Sequence, residues 1–237
     1  MFDFGHYQNM CLATASSDEL FKTFRSEKTF RDMYEHVTFE EGVIYIAEAK
    51  KVFKDMKGFA VNDRIGDPIK CYYDEFGFEV APTTLRYIKV LADLITQFGS
   101  LDGMDIVEIG AGYGGQCRVI HEIFTPKSYT IIDVPEANLL TERYLKEFAI
   151  YPKSQFEHYD LFISNYAFTE IMRAYQDLYV KEFINKSDKG YMTCNFYKVP
   201  GDMLTFNEIL KLKDDYKVLE EIPKTDHSNF IYVWGAK

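Results

Sequence analysis

The sequence predicts a Rossmann-like α/β fold, with a mostly parallel sheet, a C-terminal antiparallel hairpin and a helical N-terminal extension. Three observations predict it. From residue 105 onward, short apolar strand patterns alternate with helical ones. A glycine-rich turn joins the first of these strands to a helix. The last two strand patterns have no helix between them, which makes them an antiparallel pair at one sheet edge.

The elements follow in order. Residues 1–82 read as a helical, polar extension or cap, and residues 83–237 as the main domain. Ser17 can cap a short helix containing Leu20, Phe21 and Phe24. Thr38 and Glu41 form a capping box that opens a helix through Val43, Ile46, Ala47 and Phe53, closed by Gly58. Gly66, Pro68, Gly77 and Pro82 mark residues 61–82 as irregular. Leu85, Ile88, Leu91, Ala92 and Ile95 give a helix from about Thr84 to Phe98, ended by Gly99. Strands are expected at 105–109, 129–133, 160–164, 190–197, 216–222 and 230–234. Helices are expected at 115–124, from Pro135 to about 148, at 168–184, and after Asp202 as a cap. Only 26 residues separate Asp133 from Asp160. The strand expected near 154–157 is therefore short, and the helix after it is missing.

Composition narrows the function. A chain of 237 residues can bury a large core. The net charge is −10 and the Lys and Arg residues are scattered, so no basic patch offers itself to nucleic acid. The 20 Phe and 18 Tyr serve mainly the core, and tyrosines also suit polyol-binding clefts. Cys11, Cys71, Cys117 and Cys194 are far apart and carry no metal-ligand spacing. Cys117 and Cys194 read as small buried hydrophobes. No signal peptide and no membrane span are read, so the expected setting is cytoplasmic, with no membrane partner. Self-association is left open.

The most informative stretch is Val107-Glu108-Ile109-Gly110-Ala111-Gly112-Tyr113-Gly114-Gly115-Gln116. Gly110 and Gly112 permit a tight turn and a close backbone approach. Asp133 ends the next strand, where a carboxylate can accept bonds from both hydroxyls of a ribose. Gly110, Gly112 and Gly115 also satisfy GxGxxG, so the fingerprint alone fits NAD or S-adenosylmethionine (SAM). Charge separates them. Glu108 would repel a pyrophosphate and favours the ammonium and sulfonium of SAM. An NAD-dependent oxidoreductase is the alternative enzyme, and a SAM-binding module without catalysis is the third reading.

VEIGAGYGGQ, then YTIIDVPEA, ISNYAFTE, and GYM with an Asn, resemble the family of sugar O-methyltransferases. The helix with Thr84, Leu85, Arg86 and Tyr87 and the ending Asn229 to Trp234 are similar as well. The resemblance spans roughly residues 72–236, and ISNYAFTE is its distinctive part. It implies the Rossmann-like sheet of SAM-dependent methyltransferases, SAM as cofactor, and a sugar or glycan hydroxyl as acceptor. The chain departs from the family by its shortened region at 149–158.

Glu108, Gly110, Ala111, Gly112, Tyr113, Gly114, Gln116 and Asp133 are the expected cofactor-binding residues, joined by Asn165 and Arg86. Arg86 could meet the SAM carboxylate or an acidic sugar group, or lie on the surface. Tyr166, Asn195 and Tyr87 are the acceptor-side candidates. A sugar hydroxyl is a poor nucleophile, so a general base is expected. Glu170, expected to start a helix, and His227, in the final hairpin turn, are the candidates. Glu170 equally suits a helix N-terminus, and His227 a solvated turn. His158 precedes a strand at the opposite sheet edge and reads as structural, His6, His36 and His121 offer no constellation, and no catalytic metal is expected.

Overall fold

The computed structural model describes residues 4–74, 76–153, 157–196 and 202–236. The chain divides into two compact units. One comprises Met1–Thr96, Gly112–Phe124 and Asp133–Tyr151; the other comprises Gln97–Ala111, Thr125–Ile132 and Pro152–Lys237.

The first unit is largely helical. It carries α1 (Phe4–Ser16), α2 (Asp18–Thr23), α3 (Lys28–Met33) and α4 (Phe39–Ala49). The strands β1 (Cys71–Tyr73) and β2 (Phe78–Val80) form a small antiparallel hairpin. Most of α5 (Pro82–Phe98), then α6 (Gly115–Ile120) and α7 (Pro135–Lys146), complete it. Ser17 caps α2 through the Leu20 N–H, and Thr38 and Glu41 close the expected capping box on α4. α4 stops at Ala49 rather than reaching Gly58. The N–H groups of Val52 and Phe53 both turn back to the Ala49 carbonyl, and a 3-10 segment, Lys57–Arg64, follows. The hairpin at 71–80 replaces the irregular stretch expected there.

Aromatic rings fill this unit. Phe24, Phe30, Tyr113 and Tyr144 are almost wholly buried, and Tyr113 meets Phe24 and Tyr144 edge-on. The fully buried Arg25 lies over the Tyr113 ring. Its guanidinium donates to Glu35 Oε1 at 2.5 Å, to Asp63 Oδ1 at 3.0 Å and to the Asn62 carbonyl at 3.1 Å. A buried cation persists when carboxylates and carbonyls replace its water. α1 lies along α7, with Gln8 donating to Glu136 at 3.2 Å and Arg143 to the Ala15 carbonyl at 3.0 Å.

The second unit is a six-stranded sheet. Its strands are β3 (Asp105–Ile109), β4 (Ser128–Ile132), β5 (Tyr159–Asn165), β6 (Ser187–Cys194), β7 (Tyr216–Leu219) and β8 (Phe230–Trp234), in the order β4-β3-β5-β6-β8-β7. β4, β3, β5 and β6 are parallel, and β8 is antiparallel to both β6 and β7. This is the expected Rossmann-like sheet, mostly parallel with a C-terminal antiparallel hairpin. The β5, β6 and β8 strands are apolar runs because the sheet is buried there, around Phe162, Met192, Tyr232 and Trp234. The short strand expected at 154–157 falls at 154–156 outside the described residues, and Glu157 is not in a strand. Lys153 donates its N–H to the Tyr129 carbonyl of β4 at 2.9 Å.

Two helices of the second unit differ from expectation. The helix expected at 168–184 is broken. A single 3-10 turn, Phe168–Glu170, precedes α8 (Arg173–Tyr179), which runs into a π-helical turn at Val180–Ile184. The Phe168 N–H is taken by Ser164 Oγ and its carbonyl by the Gln176 side chain. The Gln176 side chain thus takes a carbonyl that a continuous helix would pair, while the Ser164 bond satisfies an N–H that a helix start leaves open, and Glu170 ends the turn instead of starting a helix. Thr205, not Asp202, caps α9 (Phe206–Ile209), through a capping box with Glu208.

Candidate active site

In the first unit the site is built around Asp133. This residue follows β4 directly, and its carboxylate accepts the Gly112 N–H at 3.0 Å on Oδ2 and the Val134 N–H at 2.8 Å on Oδ1. Gly112 has φ +60, a left-handed conformation that disfavours any side chain. Burial pushes the Asp133 carboxyl up to about 6, against the opposing pull of the Val134 and Gly112 N–H groups. Among the described residues, no Lys, Arg or His forms a salt bridge with it. A desolvated acid held by backbone donors beside a glycine turn is a candidate functional group.

The loop is shaped from behind by buried groups. Tyr113 is 1% exposed and donates its hydroxyl to Glu35 Oε1 at 3.2 Å. Gln116 is buried and donates to the Tyr87 carbonyl at 3.2 Å, while its Oε1 has no hydrogen-bond partner. Tyr87 is buried too, edge-on to Tyr113. Gly114, in the left-handed region, caps α6. Arg86 donates to the Tyr34 carbonyl at 3.3 Å. The structure therefore brings Gly112 to Asp133, groups Tyr87, Tyr113 and Gln116 in the interior, and sets Arg86 on Tyr34.

In the second unit, the candidates gather at the carboxyl ends of the parallel strands, where open α/β sheets bind ligands. The Glu108 side chain is buried and its Oε2 accepts the Tyr129 hydroxyl at 2.7 Å. Gly110 donates its N–H to the Ile132 carbonyl at 2.9 Å, and Ala111 is buried beside it in the chain. A Cβ on Gly110 would meet the Ala167 Cβ at 2.1 Å, so only glycine admits the 166–167 turn so close. Asn165 ends β5. Its Oδ1 accepts from Thr193 at 3.4 Å, while its Nδ2 is buried with no hydrogen-bond partner.

Tyr166 has φ +67, a strained setting for a non-glycine residue and one found at functional sites. Its N–H donates to the Thr193 carbonyl at 2.9 Å, and its hydroxyl to Glu221 Oε1. Glu221, 4% exposed, also takes the Thr225 N–H at 2.9 Å. Asn195, just past β6, donates its side-chain amide to Glu170 Oε1 at 2.6 Å. Partial desolvation raises the Glu170 carboxyl above the usual carboxylate range, and the Asn195 bond opposes that. His227 lies in the β7–β8 turn with a 93% exposed side chain, and its Nδ1 is 3.3 Å from Asp226 Oδ1. Sequence reasoning missed Tyr34, Glu221 and Thr225. Tyr34 and Glu221 meet Tyr7 and Tyr166 from distant segments, so neither shows a local signal, and Thr225 is recognised only through Glu221, four residues before it. Among the described residues no cluster of three His, Cys, Asp or Glu could hold a metal, and no helix is long and apolar enough to cross a membrane.

No protein-family model matches this chain, and no curated protein matches it. Solved structures do. The chain is similar to the magnesium protoporphyrin IX methyltransferase of Synechocystis with bound SAM, at 12% identity and TM-score 0.49, over 62% of this chain and 76% of that one. It is similar to a SAM-dependent methyltransferase of Clostridium acetobutylicum at 10% identity and TM-score 0.47, over 62% and 88%. A ribosomal protein L11 methylase of Lactobacillus delbrueckii is similar at 12% identity and TM-score 0.43, over 65% and 79%. None of these three is described as acting on a sugar.

Proposed function

We propose that this protein is a SAM-dependent O-methyltransferase acting on a hydroxyl of a sugar or glycan, with residues 83–237 as its methyltransferase domain. The observation that carries the reading is the Gly112 N–H bound to Asp133 Oδ2 at 3.0 Å. It sets a carboxylate that has no salt bridge among the described residues beside the glycine loop, fit to accept the hydroxyls of a ribose. Glu108 keeps the start of the loop acidic, which suits a cationic cofactor and opposes a pyrophosphate.

When bound, SAM supplies a methyl group already activated on sulfonium. The protein's part is alignment and proton removal. Asn165 offers an unused buried donor for the methionine carboxylate or the acceptor, and Arg86 adds positive charge on the cofactor side. Tyr166 and Asn195 are assigned to the acceptor, whereas Tyr87, buried behind the glycine loop, is not. Glu170 would take the proton of the acceptor hydroxyl once that hydroxyl is aligned with the methyl group. Glu170 is preferred to His227 because Asn195 orients its carboxylate and its environment raises its basicity.

The test is incubation with methyl-labelled SAM and a panel of sugars, glycans, nucleic acids and proteins. Label on glycans supports the reading, and label confined to RNA or protein rejects the sugar acceptor. On the labelled acceptor, Glu170→Gln is expected to lower turnover by roughly 10²–10⁴-fold with SAM affinity kept. His227→Asn is expected to change it little. The reverse order reassigns the base to His227.

A further inference from the structure

The helices of residues 4–33 bring two tyrosines to the glycine loop and Asp133, all within the first unit. Tyr34 lies against Gly112. A Cβ built on that glycine would stand 2.7 Å from Tyr34 Cε1 and 3.1 Å from its hydroxyl. The N–H of the same glycine is the one bound by Asp133. The Tyr34 ring is held on three sides, edge-on to Tyr7 and Tyr113 and stacked on Phe30. Its carbonyl is pinned by Thr83 Oγ1 at 2.9 Å and by Arg86 at 3.3 Å. Its hydroxyl shares a short hydrogen bond with that of Tyr7, which is 2% exposed. Tyr7 seals the inner side, whereas Tyr34 and Asp133 are each only half-buried.

Both phenols are pushed well above their ordinary range by burial, and the Asp133 charge pushes the same way. They remain neutral donors beside a carboxylate acceptor. Such a pair complements a vicinal diol, whose hydroxyls both donate and accept.

We infer that Tyr34, held by Arg86, Thr83 and Tyr7, is a cofactor-binding residue that walls the ribose subsite beside Asp133 and hydrogen-bonds a hydroxyl of the cofactor's adenosine. The inference rests on the SAM reading above. It gives the N-terminal helices a direct part in cofactor binding, and it gives Arg86 a positioning role through the Tyr34 carbonyl.

The experiment is titration calorimetry of the full chain with S-adenosylhomocysteine and with its 2′-deoxy and 3′-deoxy analogues, for the natural protein and Tyr34→Phe. Thermal unfolding of each variant is recorded beside it. Tyr34→Phe keeps the ring and removes one hydroxyl. Affinity for S-adenosylhomocysteine is expected to fall roughly three- to tenfold, the worth of one hydrogen bond. Against one of the two deoxy analogues the loss should vanish, because the partner hydroxyl is already gone. An unchanged affinity overturns the inference while leaving the SAM reading in place. An equal loss with all three ligands also overturns it, since it marks a merely structural role. If the natural protein binds none of the ligands, the SAM reading itself fails and the inference falls with it.

Discussion

Gly112→Ala tests whether Tyr34 and the glycine loop are packed as one piece. Two costs add. The residue has φ +60, and an alanine there costs about 1–2 kcal/mol. The new methyl would also stand 2.7 Å from the Tyr34 ring, which Phe30, Tyr7 and Tyr113 prevent from moving freely. Overpacking of that kind costs about 1–3 kcal/mol, for a sum of about 2–5 kcal/mol. Gly77 provides the control in the same unit. It has φ +76, but a Cβ there meets nothing within 4 Å, so only the backbone cost applies. At about 2–4 °C per kcal/mol for a chain of this size, Gly112→Ala should lower Tm by roughly 4–20 °C and Gly77→Ala by roughly 2–8 °C. Scanning fluorimetry of both variants, each alone and with Tyr34→Ala, separates the two costs. Removing the ring should erase the steric part of the Gly112→Ala cost and leave the Gly77→Ala cost unchanged, the mark of neighbours. If Gly112→Ala costs the same with and without Tyr34, the packing argument is wrong.

Burial raises Asp133 from 3.8 to about 6, so the fold favours the protonated carboxyl. That contribution to stability is present below about pH 4 and is lost as pH rises through about 6, whereas the ribose needs the ionised acceptor. Affinity for S-adenosylhomocysteine should therefore be flat above pH 7 and fall below pH 6, toward tenfold per pH unit. Asp133→Asn should abolish this dependence in calorimetry while raising stability at neutral pH. Arg25→Met strands Glu35 and Asp63 in the interior. It should cost about 3–5 kcal/mol in a urea titration, and a loss below 1 kcal/mol would refute the network's part in holding the unit. Glu221→Gln, which weakens the acceptor of the Tyr166 hydroxyl, should raise KM for the acceptor while leaving SAM affinity within twofold. A change confined to SAM would place Tyr166 on the cofactor side.

The sheet was legible because its information is local. β3 lies at Asp105–Ile109 as its apolar run predicts, and β4 and β5 shift by no more than a residue or so at their ends. The capping box at Thr38 was legible for the same reason, since both partners lie within one turn. The hairpin at 71–80 was not, because three-residue strands are too short to display alternation. The break after Glu170 has no Gly or Pro to announce it. It goes with Gln176, which takes the Phe168 carbonyl from eight residues away. At the site, the glycine loop and Asp133 were readable from spacing. Tyr34 was not, since its place depends on an aromatic cluster assembled from Tyr7, Phe30 and Tyr113. Glu221 was equally hidden, because a carboxylate in a polar turn looks solvated until Tyr166 and Thr225 are seen to cover it.

The central claim is that the glycine loop and Asp133 hold SAM and not a dinucleotide. Calorimetry of the natural protein with S-adenosylhomocysteine and with NAD, repeated for Asp133→Ala, tests it most directly. Saturable binding of S-adenosylhomocysteine at one site, no heat with NAD, and loss of the signal in Asp133→Ala is the predicted result. Binding of NAD without binding of S-adenosylhomocysteine would contradict it.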